Sequence, residues 1–181
     1  MDCVLTLSGT TSQTPSFTAP AVGAGGADLM FELVVRDGLM ESEPDQVTVH
    51  VLDKNDPPAC ELASVSPAIL WPPNHKLVPV AITNVSDPNN DQVTINIDGV
   101  TQDEPTKGLG DGDTSPDAVI QGVLLRAERA GNGNGRVYEV TFTAQDSDGG
   151  SCAGTVTVCV PHDRQSNQCV DGGQRYDSLQ P

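Results

Sequence analysis

Side-chain oxygens are the chemistry this sequence offers most freely. The stretch VLDKNDPPAC carries Asp53, Asn55 and Asp56 just after an apolar run. The loop DGVTQDEPTKGLGDGDTSPD adds Asp103, Glu104, Asp111, Asp113 and Asp117, and the turn DSDGG adds Asp146 and Asp148. Calcium takes six to eight oxygens from carboxylates, amides and turn carbonyls, so calcium is the cofactor these three places predict. DPNND also alternates Asp87, Asn89 and Asp91, but an Asx turn leading into a strand has the same pattern. None of the sites is an EF-hand: counted from Asp111, the sixth position is Pro116, where that loop needs glycine.

Three histidines offer a second metal chemistry. His75 in WPPNHK and His162 in VPHD, with Asp163, could form a zinc set of two imidazoles and one carboxylate if the first and last strands are neighbours. The alternative is structural, with His75 bonded to backbone while Trp71 and the proline pair plug one end of a sandwich. Nothing points to catalysis. The sequence has no nucleophile elbow, no phosphate loop and no H-E-x-x-H, and carboxylates so abundant make any acidic pair uninformative.

Across the 181 residues, 9 basic against 25 acidic side chains give a net charge of −16. Such a surface repels nucleic acid and anionic membrane and favours cations. Aromatics are only 3% of the chain, too few for a base-stacking platform. No run approaches the ~20 apolar residues of a membrane helix, so no membrane insertion is expected. The opening MDCVLTLSGT has neither the basic nor the apolar region of a signal peptide. Yet five cysteines suggest an oxidising compartment. A chain excised from a longer secreted protein reconciles the two.

Gly (18), Pro (14) and Val/Thr-rich runs predict an all-β, turn-rich chain. LMFELVVR turns Phe31, Leu33 and Val35 to one face. QVTVHV does the same with Val47, Val49 and Val51, giving a hairpin with one wet side. With CVLTLS and SFTAP, only about four strands precede position 52, so this first unit looks incomplete at its start. The second unit offers strands at 60–66, 77–85, 92–97, 118–127, 136–145 and 153–160. Each unit ends in a similar hairpin, the sign of tandem modules. The expected fold is a tandem of Ig-like Greek-key β-sandwiches, the first incomplete. The divisions are 1–56, 57–163 and a C-terminal tail at 164–181.

TPSFTAP…LMFELVVRDG…DQVTVHVLDKNDPP, over residues 5–58, resembles the C-terminal half of bacterial cadherin-like and PKD-like modules. DKND matches the DxND linker of cadherin repeats, which implies calcium between successive domains. LWPPNHKLVPV…RVYEVTFTAQDSDGG…VTVCVPHD, within 58–163, is similar to Ig-like modules of secreted bacterial proteins and to HYR-type domains, which are fibronectin-III-like sandwiches. The resemblance implies adhesion or spacing rather than catalysis. The chain departs from it where N-terminal strands are lacking and where DSD does not clearly correspond to the DxD pair of a following cadherin domain.

In CAGTVTVCV, Cys152 shares parity with Val156, Val158 and Val160 and points at the core, while Cys159 lies on the other face. Pairing Cys60 with Cys152, as the HYR-like resemblance also implies, closes a long loop worth roughly 4–5 kcal/mol in the chain-entropy model. Cys159 and Cys169 bracket VPHDRQSNQ and are expected to clip the tail. Cys3 is left over. The expected function is a calcium-binding structural or adhesion module of an extracellular or cell-surface protein, its partners being neighbouring modules. Alternatives are a carbohydrate-binding accessory module, for which Trp71 and Tyr176 are the available platforms and Tyr138 looks buried, and a filament subunit assembling by strand complementation, its incomplete N-terminal unit completed by a strand from another chain.

Overall fold

The computed structural model describes residues 6–23, 25–107, 114–165 and 168–180. These residues form an all-β chain without helices, divided into two compact units between Asn55 and Asp56.

The first unit is two hairpins. β1 (Leu7–Ser8) pairs with β2 (Ser16–Phe17), and β3 (Ala27–Leu33) pairs with β4 (Asp45–Val51). Phe17 meets Phe31 at 4.9 Å between ring centroids. The expected wet and dry faces are only partly realised. Val47 is 57% exposed, and Val35, which lies beyond the end of β3, is 59% exposed. None of the unit's described residues is buried. Two-stranded ribbons lack a second layer to cover their apolar side, which leaves such faces open.

The second unit is a β-sandwich. Its strands are β5 (Ser64–Ser66), β6 (Leu77–Pro79), β7 (Ala81–Thr83), β8 (Thr94–Gln102), β9 (Ala118–Val119), β10 (Leu124–Arg126), β11 (Arg136–Gln145), β12 (Ser151–Val160) and β13 (Tyr176–Asp177). One sheet has the order β12-β11-β8-β13; the others are β6-β10-β9 and β5-β7. β11 carries the core: Tyr138, Val140, Phe142 and Ala144 are wholly buried, alternating with half-buried Glu139, Thr141 and Thr143. Val156, Val158 and Val160 of β12 join them, as do Leu125, Ala127 and Leu70 from outside this sheet. Gly154 lies under the Phe142 ring, where a Cβ would come within 2.5 Å of Phe142 Cζ.

Three expected strands are cut. The strand foreseen at 77–85 breaks at Pro79, so β6 pairs with β10 while β7 pairs with β5. Proline offers no N–H to continue a ladder, and the chain changes sheets there. Residues 118–127 form the tight hairpin β9–β10 instead of one strand, with Val123 N–H on Ile120 O and Gly122 at φ 84°. Residues 60–63 form a turn, Ala63 N–H on Cys60 O, ahead of β5. Conversely β8 runs past its expected end through a bulge. Thr141 faces Gly99 and Phe142 faces Ile97, leaving Asp98 unpaired in the ladder. The bulge shifts the parity, so Val100 and Gln102 turn inward after Ile95 and Ile97.

Candidate functional site

One end of the second unit gathers acidic turns. Gln145 pairs with Thr94, so the turn after β11 and the segment leading into β8 emerge at the same end of the sheet. The first turn holds Asp146, only 6% exposed, whose Oδ1 accepts the N–H groups of Asp148 (2.9 Å) and Gly150 (2.8 Å). In the second, Asp87 Oδ1 accepts from Asn89 (2.8 Å) and Asp91 (3.1 Å), while Oδ2 is shut from solvent with no hydrogen bond among the described residues. Asp56 joins through its N–H to Asn89 Oδ1 (2.7 Å), beside the Ala59–Ser86 bridge. Asp56, Asp146 and Asp148 are thus brought to one end, with Asp87, Asn89 and Asp91 added. DPNND is an Asx turn, and its sequence could not show that it shares an end with DSD. Asp53 and Asn55 belong to the first unit, next along the chain from Asp56. Among the described residues, no three of His, Cys, Asp and Glu already stand as a metal centre.

The long acidic loop is divided. Asp111 and Asp113 lie outside the described residues. Asp103 is bound to backbone, Oδ1 taking the Val137 N–H (2.8 Å) and Oδ2 the Gly172 N–H (3.0 Å). Glu104 and Asp117 turn inward to Arg136 at the opposite end of β11. Arg136 Nη1 lies 2.8 Å from Asp117 Oδ2, and Nε lies 3.3 Å from Glu104 Oε2. Gln102 Nε2 also donates to Asp117 (2.8 Å). Tyr138 OH receives Arg136 Nη1 (3.2 Å) and donates to Arg126 O (2.9 Å). A single buried charge is very costly, and a mutually bonded set is tolerated. Burial pushes the Asp117 carboxyl above the usual carboxylate range, against the downward pull of Arg136. Burial likewise pushes up the Tyr138 phenol. For Arg136 burial opposes the charge, but Tyr138, Asp117 and Glu104 outweigh it and raise the pKa.

Arg136 went unnoticed in the sequence, although it shares parity with Tyr138 and Val140 on the inward face of β11. Glu128, also wholly buried, was missed too. Its Oε2 accepts from His75 Nδ1 (2.8 Å) and from the Thr114 hydroxyl. His75 is therefore tied to a carboxylate, not only to backbone as foreseen, although its N–H also bonds Ala127 O (3.0 Å). His162 contacts Gly131 O through Nε2 (3.3 Å) and lies 3.9 Å from Asp163. The expected zinc set is not assembled among these residues.

Cys60 is joined to Cys152 and Cys159 to Cys169. Cys3 lies outside the described residues. Leu70, 1% exposed, belongs to the core, whereas Trp71, foreseen as the plug, stands 41% exposed. Tyr138 is fully buried and Tyr176 37% exposed. No helix among the described residues is long and apolar enough to cross a membrane.

No protein-family model matches this chain, and no curated protein or solved structure matches it either.

Proposed function

We propose that the chain is a non-enzymatic structural or adhesion module of an extracellular or cell-surface protein, and that its acidic turns bind calcium. The observation that supports this reading is the placement of two acidic turns, one with Asp87 and Asp91 and joined by Asp56, the other with Asp146 and Asp148, at the same end of the second unit. These carboxylates sit on turns, so they can converge on an ion without breaking a strand ladder. Calcium accepts such irregular oxygen sets. In a chain of charge −16 it also relieves repulsion among neighbouring carboxylates. The two disulfides are compatible with an extracellular setting.

Thermal melting in calcium and in chelator tests the reading. Millimolar calcium raises Tm through preferential binding to the folded state, and Asp87→Asn with Asp146→Asn removes most of that rise. Identical wild-type curves in calcium and chelator would refute it. A second reading, carbohydrate binding, draws on the exposure of Trp71, since sugar rings stack on open aromatic faces. Trp71 is the single tryptophan, so its fluorescence reports directly. A saturable change with added oligosaccharide supports that reading, and a flat titration removes it.

A further inference from the structure

Within residues 168–180, β13 is an added strand. Tyr176 pairs with Gln102 and Asp177 with Thr101 at the outer edge of β8. Arg175 N–H bonds Gln102 O (3.1 Å) and Ser178 N–H bonds Val100 O (3.0 Å). Ser178, wholly buried, returns its carbonyl to the N–H groups of both Asp117 (3.0 Å) and Ala118 (2.9 Å), tying β8 to β9. Thr101 Oγ1 donates to the Gln174 side chain (3.0 Å), and Asn134 holds Val170 O (3.0 Å). This is a receptor for an extended segment, built from main-chain donors and acceptors on two strands, and its occupant is recorded contact by contact.

The occupant is fastened by Cys159–Cys169, which spans only 10 residues of sequence. That cystine lines an open cavity of about 330 Å³ with Ala68, Thr157 and Asp171, so a small thiol can reach it. Cys60 and Cys152, by contrast, are packed against the hydrophobic core. We propose that the β8 edge is a strand-exchange site, with the Cys159–Cys169 bond as its latch and residues 168–180 of a second copy of this chain as the alternative occupant. Every contact just described is available to the second copy unchanged, which is why exchanging an identical element is a low-cost route to dimers. The sequence separation of 10 between Cys159 and Cys169 reaches up to ~35 Å when extended, enough to cross to a neighbouring copy.

The covalent step balances. A dithiol such as dithiothreitol gives two electrons and two protons to the Cys159–Cys169 bond and becomes its own cyclic disulfide. On reoxidation, glutathione disulfide accepts two electrons for each new cystine and leaves as two glutathione thiols. In the exchanged dimer each new bond joins Cys159 of one copy to Cys169 of the other. The inference does not depend on calcium.

The test mixes ¹⁵N-labelled and unlabelled full chains, both Cys3→Ser, at high concentration. The mixture is reduced by dithiothreitol without denaturant, reoxidised with glutathione disulfide and digested without reduction. The expected product is a Cys159–Cys169 peptide with one labelled and one unlabelled half, while Cys60–Cys152 stays within one copy. Same-isotope peptides alone overturn the proposal. Mixed isotopes at both cystines overturn it too, because they mark scrambling through unfolding. Ser178→Pro deletes the N–H that bonds Val100 O and must lower the mixed yield; an unchanged yield means random collision and also overturns it.

Discussion

Arg136 and Asp117 form an ion pair at 2.8 Å with neither side chain exposed. Glu104 and Tyr138 complete the shell. Taking away one member of such a set leaves the others charged or polar and dry, which typically costs 3–5 kcal/mol. Arg136→Met is therefore expected to lower stability by about that much. The double variant Arg136→Met/Asp117→Leu is expected to recover much of the loss. Urea unfolding of both checks this, and a double variant as unstable as the single one contradicts it.

Burial also sets a pH dependence. The Asp117 carboxyl is raised above its ordinary 3.8, first by burial. An acid raised in the folded state holds its proton more tightly there than when unfolded. The stability this gives is full below the unfolded value and is lost as pH climbs through the folded value. The difference in Tm between wild type and Asp117→Asn should therefore shift against wild type as pH rises from 3.5 toward 7. A shift in the opposite direction would mean that Arg136 outweighs burial.

Gly154 and Phe142 face each other across β11 and β12. A Cβ at 154 would lie 2.5 Å from the ring. Gly154→Val should destabilise the second unit by roughly 1–3 kcal/mol through overpacking, even though valine favours strands. In combination with Phe142→Leu the loss should be less than additive. Additive losses in chemical denaturation would show that the two residues are not coupled.

Cys60–Cys152 closes a separation of 92 residues. Its removal by Cys60→Ala/Cys152→Ala should cost about 2–5 kcal/mol. Removing Cys159 and Cys169 together should cost less, since their loop is short. Calorimetry of the two double variants ranks them, and the reverse order would count against the chain-entropy account.

Much of this fold was readable because its side chains alternate. β11 declares its inner face through Tyr138, Val140, Phe142 and Ala144, and β12 places Cys152 and Cys159 on opposite faces by the same parity. What alternation could not show was any departure from a straight ladder. The Asp98 bulge flips the face of β8 within one residue, and Pro79 moves the chain between sheets without altering its apolar character. Sites were less legible still. Asp117 and Asp146 are both acidic turn residues in sequence, yet one faces a buried guanidinium and the other an acidic end of the sandwich. That difference lies in strand register, which brings together residues far apart in the chain. Only Arg136 left a local trace, as a charge on an inward parity.

The Cys60–Cys152 bond also decides how this unit would answer a mechanical pull. Tension entering at Asp56 reaches Cys60 after four residues and crosses directly to Cys152 on β12, bypassing residues 61–151. Most of the sandwich is therefore slack to the load. Only the segment beyond Cys152 can be drawn out, and Cys159–Cys169 shortens it again. With both bonds intact, a load path through the unit omits residues 61–151 and 160–168.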